Sequence, residues 1–136
     1  MILFDANVLV YGFRSDAADH QRYKAWIESV MNGPSEYAVS TDVLAIVIRI
    51  CTHPRVFRRP SPLEDVRQFC RVLIQQPNAR IVSPGKQHGF IFESVCEAFG
   101  VKGNLVQKAW YAALAIESGC EWVTTDPDYG RFKQVF

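Results

Sequence analysis

Short apolar runs alternate along this chain with longer segments of helical periodicity. The runs at 2–4, 37–40, 80–82 and 121–124 have the length and composition of buried strands. The segments between them repeat apolar residues every three or four positions, which is typical of helices that bury one face: 6–13, 17–31, 42–52, 63–74, 87–99 and 105–118. This alternation predicts an α/β fold with a mostly parallel central sheet and helices on both faces.

Turn residues separate these elements without marking a domain boundary. Breaks fall at Asn32-Gly33-Pro34 and at Gly119, and the closing residues 134–136 predict an additional edge strand, so we expect four to five strands. The chain contains no repeat, low-complexity tract or linker. With 136 residues, 49% of them hydrophobic and 21% charged, it has the size and composition of one globular domain spanning 1–136.

Charge and cysteine usage narrow the possible functions. The net charge of +1 does not indicate a nucleic-acid-binding protein, so any such role must rest on local patches. Cys51, Cys70, Cys96 and Cys120 are too widely spaced for a zinc motif, and we interpret them as buried thiols in a reducing cytoplasm. The sequence has neither a secretory signal pattern nor an apolar run of membrane-spanning length, which favours a cytoplasmic location.

Two predicted strands end in aspartates. Asp5 follows the first strand and Asp126 the last, and parallel strands bring both ends to the same edge of the sheet. Carboxylates brought close together repel unless one is protonated or a cation lies between them, which predicts a Mg²⁺ or Mn²⁺ site. Asp128 adds a third carboxylate, and Asn7 either hydrogen-bonds Asp5 or caps the following helix.

Four segments together resemble the PIN domain of VapC toxins, and the similarity covers essentially the whole chain. They are FDANVLVYGF, LAIVIRICTHPRVF, GNLVQKAWYAALAIESGC and WVTTDPDYGRF. The resemblance implies a PIN-like three-layer α/β/α fold and a metal-dependent endoribonuclease that cleaves cellular RNA. It further implies that a cognate antitoxin neutralises the protein and that two copies form a homodimer.

The acidic positions of that family match this chain in part. Asp5 and Asp126 match well, whereas the glutamate expected on the helix after the second strand aligns with Ile46. Asp42 lies one helical turn earlier on the same face and is therefore a candidate replacement. As a residue of the first helical turn, Asp42 has a structural explanation as well, because it complements the helix dipole.

Lys108 also departs from the family pattern, because it places a positive charge where the family has a negative one. VapC relatives typically carry an aspartate at this position, after GNLVP, whereas here GNLVQ precedes a lysine. An ammonium within ~4 Å of a divalent cation opposes metal binding by ~4 kcal/mol per charge pair at an effective dielectric near 20. Three interpretations stay open: a weakened one-metal nuclease in which Lys108 contacts phosphate, a site where lysine replaces a metal, and a domain that binds without cutting.

The remaining candidates surround these acids. A metal held by Asp5 and Asp126 would activate a water molecule that Asp128 orients. Thr124 and Thr125 are candidates for hydrogen bonds to the carboxylates or for capping the strand end, although strand filling explains Thr124 better. Thr125 is also a candidate for substrate binding.

The basic run at 53–60, HPRVFRRP, is the best candidate for RNA contact, although a solvated loop explains it equally well. We select Arg49 and Arg55 as substrate-binding residues, with Arg14 and Phe57 near the same groove.

The leading hypothesis is therefore a VapC-like, Mg²⁺- or Mn²⁺-dependent ribonuclease toxin. The alternative is a catalytically weakened or silent PIN domain that binds antitoxin or RNA without cleavage, motivated by Ile46 and Lys108. A phosphoacceptor regulator is disfavoured, because such a pocket usually has adjacent carboxylates at the first strand and Asp5 stands alone there.

Overall fold

The computed structural model describes residues 1–132, and their strands form one parallel sheet. The strands are β1 (Ile2–Phe4), β2 (Tyr37–Ser40), β3 (Ala79–Val82) and β4 (Glu121–Val123). Every pair of neighbours is parallel, in the order β3-β2-β1-β4. The additional edge strand predicted at 134–136 lies outside the described residues.

Helices fill the connections between the strands, as the periodicity predicts. Their bounds are α1 (Ala6–Phe13), α2 (His20–Asn32), α3 (Thr41–Cys51), α4 (Leu63–Gln75), α5 (His88–Phe99) and α6 (Leu105–Ser118), followed by a 3-10 helix at Pro127–Phe132. The prediction that α2 begins at Ala17 is wrong. Asp19 has a φ of 57°, in the left-handed region, and this conformation interrupts any helix that started earlier.

Helix packing confirms the three-layer α/β/α architecture. Helix α1 packs on α2 and α3, and α3 packs on α4, whereas α5 packs on α6 and α6 contacts β4. The sheet between them contributes fully buried residues such as Leu3, Phe4 and Tyr37. Alanines of α6, including Ala112 and Ala115, are completely buried because their small side chains let this helix approach its neighbours closely.

The four cysteines are unpaired thiols. Cys51, Cys70 and Cys120 are buried as predicted, whereas Cys96 is only half-buried. Burial raises the pKa of Cys51 and of Cys70 to about 11, so both remain protonated and unreactive at neutral pH. Within residues 1–132, no helix combines the length and the apolar character needed to cross a membrane.

The strand order fixes where a ligand site is expected. The chain proceeds from β1 outward through β2 to β3 and then returns to the other side of β1 with β4. Open α/β sheets bind ligands at the carboxyl ends of the strands where the order reverses in this way. That point lies between β1 and β4, the two strands that Asp5 and Asp126 follow.

Candidate active site

Backbone pairing between β1 and β4 positions the first acid. The Asp5 N–H donates to the Val123 carbonyl oxygen at 2.9 Å, which continues the pairing of the two strands one residue beyond β1. This bond fixes Asp5 beside the residue that leaves β4, Thr124. The Thr124 hydroxyl donates to Asp5 Oδ2 at 2.5 Å.

Asp5 is a buried carboxylate that also caps a helix. Its Oδ1 accepts a hydrogen bond from the Ala6 N–H at 2.7 Å at the start of α1, and the residue is only 9% exposed. Burial raises the pKa of Asp5 above its ordinary value. The hydrogen bonds from Thr124 and Ala6 oppose this rise, and the negative charge of Asp126 adds to it.

Thr124 joins the two acids predicted to converge. Its Oγ1 accepts a hydrogen bond from the Asp126 N–H at 3.0 Å while its hydroxyl donates to Asp5. The interpretation of Thr124 as strand filling is therefore wrong, because β4 ends at Val123 and frees Thr124 to turn toward Asp5. Thr125 is exposed, and its role in substrate binding stays a prediction.

A tight turn adds the third acid and brings it to Lys108. The Asp128 N–H donates to Asp126 Oδ1 at 2.9 Å. From α6, the Lys108 ammonium contacts Asp126 Oδ2 at 2.9 Å and donates a hydrogen bond to Asp128 Oδ2. The hydrogen bonds to Asp128 and Asp126 raise the pKa of Lys108, and its ammonium in turn lowers the pKa of Asp126.

Asp42 approaches the same edge from α3. It is exposed in the first turn of that helix, which follows directly from β2. Burial raises the pKa of Tyr111, and the charges of Asp42 and Asp5 raise it further. Ile46, at the position expected to be acidic, is half-buried and packs against the core.

Sequence reasoning missed two buried tyrosines beside the acids. Tyr111 stacks on Trp122 with ring centroids 5.3 Å apart, and the Tyr129 ring packs at a tilt against the same indole with centroids 5.4 Å apart. Burial raises the pKa of Tyr129, and the charges of Asp5 and Asp126 add to the effect. Helical spacing gives one available signal, because Tyr111 follows Lys108 by three positions and so shares its face of α6.

Comparison with known proteins identifies the family. A family profile described as PIN domain matches residues 2–135. The chain belongs to the PIN-domain family. This PIN domain is 32% identical to "VapC ribonuclease Mb2897" of Mycobacterium bovis over 135 residues, which cover 99% of this chain and 92% of the relative. It is 31% identical to "Ribonuclease VapC25" of Mycobacterium tuberculosis, covering 99% and 95% of the two chains. These relatives place it in the VapC branch.

A solved structure supports the fold of this PIN domain. The crystal structure of VapBC2 from Rickettsia felis, bound to a DNA fragment from its promoter, contains a chain that superposes with a TM-score of 0.70. The match covers 100% of this PIN domain and 96% of the other chain at 18% sequence identity. At this identity, the likeness establishes the three-layer architecture alone.

The other predicted binding residues of this PIN domain lie on α1 and around the end of α3. Asn7 is half-buried in the first turn of α1. The alternative that Asn7 caps this helix is wrong, because Asp5 provides the N-cap. Arg49 is exposed in the last turn of α3, at the opposite end of the helix from Asp42. Arg55 is exposed in the turn that follows.

A groove opens beside the acids of this PIN domain. It encloses about 1080 Å³ along β4 and the start of the 3-10 helix, and Thr124, Asp126 and Tyr129 contribute to its lining. The Asp126 side chain is 21% exposed, and that of Asp128 is 46% exposed. Reactants in solution can therefore reach this pair, whereas Asp5 lies deeper.

Proposed function

We propose that this VapC-family chain is a toxin endoribonuclease whose active site is the sheet edge around Asp5. The observation that carries the proposal is the Thr124 bridge, which joins Asp5 and Asp126 where the strand order reverses. The relatives are named ribonucleases and align with nearly the whole length of this chain, which supports RNA as the substrate class.

Asp5 is the proton acceptor in this proposal. A carboxylate whose pKa is raised by burial binds a proton at a pH closer to neutrality, which suits general base chemistry on the oxygen that attacks the phosphodiester. Asp126 and Asp128 hold the Lys108 ammonium in place nearby, where it can contact a phosphate oxygen. Asp42 adds a further carboxylate at the exposed side of the edge.

The Mg²⁺ or Mn²⁺ ion that the resemblance implies, with Asp5 and Asp126 as its ligands, does not fit the side chains as they are arranged. Asp126 accepts the Asp128 N–H with one oxygen and contacts the Lys108 ammonium with the other, so a divalent ion bound to Asp126 would lie close to a like charge. Within residues 1–132, no three His, Cys, Asp or Glu side chains form a group suited to a metal ion. We therefore assign no step of the reaction to a metal.

RNA contacts are proposed along the exposed basic loop after α3. Arg55 and Arg58 face solvent there, and Arg49 extends the positive charge along the end of α3. Phosphate contacts from arginine position a nucleic acid, and base contacts give specificity, so we expect these residues to affect affinity across many RNA sequences. Asn7 and Thr125 complete the proposed substrate contacts near the acids.

Replacing the deepest acid tests this function. We expect Asp5→Asn to lower the rate of RNA cleavage by about 10²-fold or more, because the proton acceptor is lost. The assay maps cleavage of a broad transcript pool in separate buffers containing Mg²⁺, Mn²⁺ or a chelator. Asp65→Asn, an exposed aspartate in the first turn of α4, is the matched control. Equal cleavage by Asp5→Asn and wild type, or none by wild type in every buffer, would overturn the proposal.

The proposal includes a cognate antitoxin, a homodimer and a cytoplasmic site of action. Induced expression in a bacterial host is expected to arrest growth, and co-expression of a small reading frame immediately upstream is expected to relieve the arrest. Light scattering on the purified chain measures whether it is a dimer. Growth arrest by Asp5→Asn equal to that by wild type would separate toxicity from this active site.

The contacts of Lys108 favour a second candidate, a silent PIN domain that binds antitoxin or RNA without cutting. In this alternative, the ammonium and Ile46 have replaced the acids that cleavage requires. Ile46→Glu combined with Lys108→Asp separates the two functions. Cleavage that appears only in the double variant supports the silent domain, whereas equal cleavage before and after supports an intact enzyme.

A further inference from the structure

The Lys108 ammonium lies between two of the carboxylates at this sheet edge, those of Asp126 and Asp128. It contacts Asp126 Oδ2 at 2.9 Å and donates to Asp128 Oδ2, and the lysine side chain is 23% exposed. The first turn of α6 carries the lysine, and the 3-10 helix that carries Asp128 packs against α6. Two separate elements thus direct opposite charges to one position.

This arrangement leaves few carboxylate oxygens free. The other oxygen of Asp126 accepts the Asp128 N–H at 2.9 Å, so both of its oxygens have partners in the folded chain. A divalent cation that approached Asp126 and Asp128 together would meet the ammonium at short range. Like charges at that separation repel strongly in a partly buried site. The ammonium must move away before such an ion can bind both acids.

We propose that Lys108 is the resident cation of this edge, neutralising Asp126 and Asp128 and suppressing their affinity for divalent metal ions. The proposal concerns metal binding alone and does not depend on whether the chain cleaves RNA. Lysine suits this position because its single compact charge can lie between two carboxylates, and its flexible stem lets it move. The resemblance predicts an aspartate at this position. A carboxylate that would attract a metal ion is therefore replaced here by an ammonium that repels it.

Removing the ammonium tests the proposal directly. Mn²⁺ binding to the full-length chain is measured by electron paramagnetic resonance of the free ion and by calorimetry, with no RNA present. We expect Lys108→Met to bind Mn²⁺ at least about tenfold more tightly than wild type, and Lys108→Asp more tightly still, because each step makes the edge more negative. Lys102→Met removes one exposed positive charge before α6 and is expected to bind like wild type.

A second substitution locates the gained site. Adding Asp126→Asn to Lys108→Met is expected to return Mn²⁺ affinity to the wild-type level, which a general change in net charge would not do. Equal affinity of wild type and Lys108→Met within twofold would overturn the proposal, as would a gain that survives Asp126→Asn. Lys108→Gln provides a second neutral side chain, and failure of both neutral variants to fold would also overturn it by making the lysine a structural requirement.

Mn²⁺ affinity and RNA cleavage test the resident cation and the ribonuclease function separately. Cleavage of RNA by wild type, with unchanged Mn²⁺ affinity in Lys108→Met, keeps the ribonuclease and removes the resident cation. A gain in Mn²⁺ affinity with no cleavage in any buffer keeps the resident cation and favours the silent domain.

Discussion

Two cations within residues 1–132 are held by aspartates, and their surroundings differ. Arg14 lies at the end of α1 with a side chain that is 9% exposed, and Asp16 is its partner. Lys108 lies at the carboxylate edge with a side chain that is 23% exposed and pairs with Asp126 and Asp128. Both pairs were visible in the sequence only as separate charged residues.

Arg14 connects distant parts of the chain through a planar group. Its Nε and Nη2 donate to the two carboxylate oxygens of Asp16 at 2.9 and 2.6 Å. Its Nη1 donates to the Arg59 carbonyl oxygen at 2.8 Å and to Ser61 Oγ at 2.9 Å. The guanidinium carbon also lies 3.9 Å from the centre of the Phe57 ring. These contacts anchor the basic loop after α3 and leave Arg14 unavailable to RNA.

Burial and geometry distinguish the two cations: Arg14 stabilises the fold, whereas Lys108 sets the charge of the site. The guanidinium forms a fixed fork whose donors are used within the fold, so its loss leaves partly buried acceptors without partners. The lysine has one mobile charge beside carboxylates that solvent can reach, so its loss changes the charge of a site more than the stability of the fold.

The largest expected effect on the free energy of unfolding is at Arg14. We expect Arg14→Met to lower the free energy of unfolding by about 2–3 kcal/mol, because the Arg59 carbonyl and the Ser61 hydroxyl lose their donor. Urea denaturation followed by circular dichroism measures it. Arg67→Met is the control, since Arg67 is half-exposed and pairs with Glu64 three residues earlier on α4. A loss no larger than that of the control would remove the distinction between the two cations.

Periodicity and strand ends account for what the sequence predicts well. The bounds of α6 and the placement of Asp5 and Asp126 follow from apolar spacing and from the geometry of parallel strands, and the structure confirms both. The helix bounds depend on residues close together in the sequence, and the meeting of the two aspartates depends on the parallel arrangement of the strands.

Contacts between distant side chains account for what the sequence does not predict. Arg14 finds partners at Arg59 and Ser61, and no local pattern signals that pairing. The contacts of Thr124 with Asp5 and Asp126 follow from β4 ending at Val123, one residue earlier than predicted.

A smaller effect is expected from the hydroxyl that joins the acids. We expect Thr124→Val to cost about 1–2 kcal/mol at neutral pH, because Asp5 Oδ2 loses its donor and the Asp126 N–H loses its acceptor. Loss of that donor raises the pKa of Asp5 further. A raised carboxylate pKa penalises the folded state only where the group must ionise, so this part of the cost should shrink as pH falls through the raised folded pKa and be absent below the ordinary value of 3.8.

Urea denaturation at neutral and acidic pH measures this dependence, with Thr125→Val as the matched control at the exposed neighbour. An equal cost at both pH values would show that the Thr124 hydroxyl does not act through the Asp5 charge.

The smallest effect on stability is expected at Lys108. Lys108→Met should change the free energy of unfolding by less than about 1 kcal/mol, because its partners are partly exposed and solvent screens the pairs. Lys108 lowers the pKa of Asp126, so the stabilisation is present above the ordinary value of 3.8 and is lost as pH falls through the lower folded value. Lys108→Met should therefore raise the pKa of Asp126, which carboxyl-carbon nuclear magnetic resonance titration measures. An unchanged pKa, or a destabilisation as large as that of Arg14→Met, would make Lys108 a structural cation like Arg14.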